Sequence, residues 1–111
     1  MSDLSEKRCL ACEGYVAKLT KEQAVTLLEQ LTLWNFTEAG DRIEKTYAFK
    51  NYYETMAFVN ALSWIAHQEN HHPDMKVGYN YCVVSYSTHA VGGLTENDFI
   101  CAAKIDTLLA L

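Results

Sequence analysis

The chain has 111 residues, half of them hydrophobic and 21% charged, with a formal net charge of −5. This is the size and apolar content of one ordinary domain, and too hydrophobic for a disordered chain. No basic block is present to displace phosphate counterions, and no stretch approaches the roughly 20 apolar residues that span a bilayer, so no nucleic-acid or membrane partner is expected.

Residues 1–19 carry little periodicity and read as an irregular arm, with residues 20–111 as the folded domain. Met1 to Arg8 has no apolar core of the kind a secretory signal needs, so a cytoplasmic location is expected. In a reducing compartment Cys9, Cys12, Cys82 and Cys101 are expected as free thiols. Cys82 and Cys101 sit among apolar residues and read as small core side chains. Thr20-Lys21-Glu22-Gln23 has the spacing of a capping box, and Ala24, Leu27, Leu28 and Leu31 follow at helical spacing. A first helix is predicted from Lys21 to about Leu31.

Trp34 to Glu38 alternates as a strand does, and Ala39-Gly40-Asp41 signals a turn. Ile43, Tyr47 and Phe49 then recur with period two, interrupted by Lys45, which predicts a hairpin. Asn51-Tyr52-Tyr53-Glu54 caps a second helix from about Tyr52 to about Asn70, with Phe58, Leu62 and Ile65 as its buried stripe. Pro73 ends that segment, because a residue before proline is pushed out of the helical region. Met75 to Tyr79 and Tyr81 to Thr88 form a second hairpin around Gly78-Tyr79-Asn80. After the breaker Gly92-Gly93, Thr95 caps a third helix with Asp98 at its third position and Leu94 stapled to Phe99. That helix runs to the end and buries Phe99, Ala102, Ala103, Ile105, Leu108 and Leu109. The fold class is α+β: a two-layer, four-stranded antiparallel sheet with helices on one face, β-β-α repeated twice after an N-terminal helix.

All four histidines fall between positions 67 and 89. Imidazole titrates nearest neutrality, so one ring can give a proton while another takes one. Asn60, Trp64, His67 and His71 share one helical face, opposite the apolar stripe. His71-His72-Pro73 sets two imidazoles at a rigid helix-to-strand corner, and His89 ends the last strand just before Gly92-Gly93. Zinc is the rival chemistry. His67 and His71 have the i, i+4 spacing, but Gln68 stands where a metalloprotease helix carries Glu. Cys9-Leu10-Ala11-Cys12 has C-x-x-C spacing, with no second pair to complete a four-ligand site. Spacing alone leaves an acid–base site and a zinc site both open.

Glu69-Asn70-His71-His72-Pro73, Gly78-Tyr79-Asn80, Ser87-Thr88-His89 and Gly92-Gly93-Leu94-Thr95-Glu96-Asn97-Asp98 together resemble the pterin-4α-carbinolamine dehydratase family. The resemblance covers residues 20–111, and the first 19 look like the extension of bacterial members that act with phenylalanine hydroxylase. It implies a lyase that removes water from a 4a-hydroxytetrahydropterin to give the quinonoid dihydropterin, for tetrahydropterin recycling. No cofactor or metal is implied. His71, His72 and His89 would carry the proton transfers, and Pro73, Thr88, Ala90 and Val91 would line the pterin pocket. Family members vary at the position of His67, so it receives no role, and Asp98 is accounted for by its capping position. The family's members form homodimers or homotetramers, and some bind a transcription factor. This suggests an alternative reading as an interaction module or transcriptional coactivator, with the apolar third helix as the surface.

Overall fold

The computed structural model describes residues 4–10 and 16–109. Its elements run α1 (Lys21–Leu28), β1 (Asn35–Phe36), β2 (Ile43–Ala48), α2 (Tyr52–Glu69), β3 (Asp74–Val77), β4 (Tyr81–Tyr86) and α3 (Glu96–Asp106), with short 3-10 turns at Leu4–Glu6, His89–Val91 and Thr107–Leu109. The α+β reading holds. The two hairpins join through their second strands, giving an antiparallel sheet of order β1-β2-β4-β3. The central ladder runs from Ile43 opposite Tyr86 to Ala48 opposite Tyr81. Because side chains alternate along a strand, Ile43 and Tyr47 turn inward with Cys82, Val84 and Tyr86. They meet Phe58 and Leu62 of α2 and Phe99, Ala102 and Ile105 of α3 in one core.

Several boundaries differ from the sequence reading, each for a local reason. α1 stops at Leu28 rather than Leu31. The chain then passes through tighter turns, with Gln30 N–H donating to the Leu27 carbonyl and Leu31 N–H to that of Leu28. Leu33 takes a positive φ of 65° and delivers Trp34 into the core. β1 shrinks to two residues because Thr37 already belongs to the turn, where Gly40 N–H donates to the Thr37 carbonyl and Gly40 takes a φ of 78°. The buried stripe of α2 is Thr55, Phe58, Leu62 and Ala66, and Ile65 is only half-buried. Thr55 escapes an apolar pattern because its hydroxyl is satisfied by the carbonyls of Asn51 and Tyr79.

α3 is buried on nearly every side, from Asn97 to Ala103 and again at Ile105. It therefore is not the exposed apolar face that the interaction-module reading assumed. Leu109, predicted to be buried, is 51% exposed. The described part of the N-terminal arm packs against α3: Leu4 is in the core, and Lys104 Nζ donates to the Ser5 carbonyl. Asn97 holds the arm like a strand partner, accepting from Leu10 N–H at 3.0 Å and donating to the Leu10 carbonyl at 2.8 Å. Cys9 Sγ lies 3.5 Å from Cys101 Sγ, as paired free thiols. That contact, then burial, pushes the Cys9 thiol far above its ordinary range, and burial alone raises Cys82. Cys12 lies outside the described residues.

Candidate active site

The site begins where α2 ends. Asn70 takes a left-handed conformation with φ 51°. Asn70 N–H donates to the His67 carbonyl and His71 N–H to that of Ala66, the paired bonds of a Schellman stop. The reversal swings His71 off the helix. The sequence reading put His71 on one face with Asn60, Trp64 and His67; the structure separates them. Trp64 and His67 stay exposed, with rings 5.5 Å apart, while His71 is buried. Among the described residues no group of three or more His, Cys, Asp or Glu is placed to hold a metal ion.

His71 Nε2 lies 2.6 Å from Asp98 Oδ1. With Asp98 ionised, the carboxylate accepts and Nε2–H is the donor. Asp98 is wholly buried, and its other oxygen accepts from the Thr88 hydroxyl and from Thr95 N–H, both at 2.9 Å. Thr95 and Thr88 hydroxyls are themselves 2.8 Å apart. The capping role read for Asp98 is real, since it receives the cap residue's N–H, but the same carboxylate also holds the imidazole. The opposite face of the His71 ring environment is closed by Tyr86, stacked at 5.2 Å between centroids, whose hydroxyl donates to the His71 carbonyl. Burial, together with Cys101, drives the Tyr86 phenol far above its ordinary range, so it stays a neutral donor.

Thr88 follows β4 and pairs with Gly93, its N–H donating to the Gly93 carbonyl at 2.7 Å. This closes a small loop containing the His89–Val91 turn, which Gly92 ends at φ 64°. His89 therefore sits on a turn beyond the strand rather than on the strand itself, and it is exposed. A cavity of about 470 Å³ opens between this loop, the α2 corner and the sheet. Arg42, Asn70, His71, His72, Asp74, Ser85, Ser87, Thr88, His89 and Ala90 line it. Pro73 is buried beside an adjoining cavity that shares His71 and His72, and Val91 is half-buried on the turn outside the lining.

Three imidazoles, one braced by a buried carboxylate, thus share one open cleft. Five of the residues singled out from sequence meet there: His71, His72, Thr88, His89 and Ala90. Arg42, Asp74 and Ser85 were missed, while Asn70 and Ser87 stood in the quoted motifs without a role. Ser85 and Ser87 carried a faint signal, as two hydroxyls at period two on the strand that leads into Thr88-His89.

The model of the pterin 4 alpha carbinolamine dehydratase family matches residues 17–108. The chain belongs to that family. Among curated proteins, this dehydratase-family chain is 61% identical to one from Nitrosomonas eutropha, over 96% of this chain and 94% of the relative. It is 62% identical to one from Legionella pneumophila (strain Corby), over 97% and 96% respectively. Both relatives carry the pterin-4-alpha-carbinolamine dehydratase name. Among solved structures, a transcriptional coactivator/pterin dehydratase from Brucella melitensis superposes with a TM-score of 0.80 at 26% identity, over 83% of this chain and 98% of that one. A pterin dehydratase-like protein described as a RuBisCO assembly factor in the alpha-carboxysome superposes with a TM-score of 0.60 at 26% identity, over 69% and 89%. Among the described residues of this dehydratase-family chain, no helix is long and apolar enough to cross a membrane.

Proposed function

We propose that the protein is a hydro-lyase that removes water from a 4a-hydroxytetrahydropterin and yields the quinonoid dihydropterin. In this reading it serves tetrahydropterin recycling for an aromatic amino acid hydroxylase such as phenylalanine hydroxylase. It acts in the cytoplasm, with residues 20–111 as the catalytic unit and 1–19 as an arm. The observation that carries the reading is the convergence of His71, His72 and His89 on one cavity, with His71 braced by Asp98. The chemistry asks for little else. The C4a–O bond breaks as the hydroxyl takes a proton and leaves as water, a ring C=N bond forms, and a ring nitrogen gives up its proton. Imidazoles at neutral pH can supply both the donor and the acceptor. The Thr88 hydroxyl serves here by holding Asp98, and Ala90 by shaping the wall. Pro73 and Val91 act one step back, as supports of the corner and the turn.

A coupled assay with an aromatic amino acid hydroxylase tests this directly. The wild type accelerates loss of the 4a-hydroxy intermediate, and His72→Ala and His89→Ala each lower that rate by roughly 10²-fold or more. A wild type that leaves the uncatalysed rate unchanged rejects the reading.

We also propose a homodimer or homotetramer. β3 lies at the sheet edge and is exposed along all four residues, which leaves one side of its backbone open to pairing. The same feature, with Trp64 at 61% exposure and Tyr53 at 81%, supports the second reading as an interaction module or coactivator. The two solved neighbours described as a coactivator and an assembly factor point the same way. Histidine variants that lose dehydration but keep partner binding would separate the two roles.

A further inference from the structure

We propose that Arg42 is a substrate-binding and specificity-determining residue of the cleft, donating to a ring carbonyl oxygen of a planar bicyclic substrate. The inference rests on the dehydratase reading and extends it to how the ring is chosen. Arg42 precedes β2 and lies across the sheet face opposite the helices, where Ser85 of β4, Ser87 just after it and Asp74 of β3 share its side. Its Nε donates to Ser85 Oγ at 2.7 Å, one terminal nitrogen to Ser87 Oγ at 3.1 Å, and the other to Asp74 Oδ2. All four residues line the cavity that holds His71, His72 and His89.

The arrangement does more than tie strands together. Three bonds from three different nitrogens fix both the position and the plane of the guanidinium, so its rotamer entropy is already spent before a ligand arrives. Guanidinium carries five N–H groups, so one N–H on each terminal nitrogen remains. With its side chain 31% exposed, Arg42 is reachable from the cleft. It is a permanent cation and donates only. A ring oxygen satisfies it, whereas a ring amino group sets donor against donor. A site built on such donors discriminates strongly against an analogue that lacks the acceptor. The substrate class it selects is therefore a 4-oxo pteridine over a 4-amino pteridine.

The test compares wild type, Arg42→Gln and Arg42→Lys in the coupled dehydration assay. Competition by an oxidised 4-oxo pterin and by 2,4-diaminopteridine is measured in each, alongside thermal melting. Arg42→Gln should raise KM about tenfold, the size of one hydrogen bond to a charged group, and change kcat by less than about threefold. It should also collapse the preference for the 4-oxo competitor by about tenfold. Arg42→Lys keeps the charge without the fork and should fall between the two. A melting temperature that drops while KM and competitor preference stay put would make Arg42 a cross-strand tie only and overturn the proposal, leaving the dehydratase reading intact. A wild type without dehydratase activity overturns both together.

Discussion

α3 carries a buried or half-buried carboxylate at each end, and the two ends do different work. Near its start, Asp98 is fully buried and bonded to an imidazole, a hydroxyl and a backbone N–H. At its end, Asp106 is 25% exposed and bonded to Lys45 Nζ at 2.8 Å, Trp34 Nε1 at 3.1 Å and the Tyr47 hydroxyl. Asp98 braces a group that opens on a cleft and can exchange protons. Asp106 meets a lysine and two donors that lock α3 onto β2 and onto the segment before β1. Burial alone does not mark a functional carboxylate. The identity of its partner, and whether that partner reaches a cavity, does.

The comparison breaks if the two carboxylates turn out interchangeable. Asp98→Asn should lower the dehydration rate by roughly 10²-fold, as His72→Ala and His89→Ala do, while Asp106→Asn should keep it within about twofold. Equal losses in a coupled assay would show that both ends feed the same site. In urea unfolding, Asp106→Ala should cost about 3 kcal/mol, because it strands Lys45, Tyr47 and Trp34 without their shared acceptor. Activity per folded molecule should survive that change.

A smaller effect sharpens the Asp98 end. Tyr86→Phe keeps the ring stacked on His71 and removes only the bond to its carbonyl, so a loss of about 1 kcal/mol is expected. The Asp106 end has a signature in pH. Burial, then the bond to Asp106, raises the Tyr47 phenol far above its ordinary value of 10.0. Above pH 10 the unfolded chain therefore releases that proton while the folded one keeps it, and stability falls as pH rises. Tyr86 adds to the same loss, and Cys9 and Cys82 begin it from their ordinary value of 9.0. Urea midpoints should drop above pH 10, less steeply in Tyr47→Phe; an unchanged slope would remove Tyr47 from the account. Least of all, Thr20→Ala removes the exposed cap of α1 and should cost about 0.5 kcal/mol with no change in rate.

Much of this was legible along the chain. The Thr20 and Asn51 caps, the Gly78–Asn80 turn and the inward alternation of Cys82, Val84 and Tyr86 are local, written in neighbouring residues and in periods of two or 3.6. So is the His71-His72-Pro73 corner. The direction of His71 was not, because it depends on one residue, Asn70, entering the left-handed region and reversing the helical face. Arg42 was invisible for another reason: its partners lie 32 to 45 residues away, on strands whose order only pairing decides.

By itself, then, the sequence determined the element types, the α+β class and the cluster of histidines near one corner, since hydrophobic period, caps and turn residues act over a few positions. The tertiary structure decided which of those histidines line one cleft. It buried His71 on Asp98, kept His67 out of the lining that the other three imidazoles share, and brought Arg42 into that lining. Those choices follow from side chains meeting across β2, β4 and α3, where a buried polar group must find its hydrogen bonds wherever the packed chain can supply them.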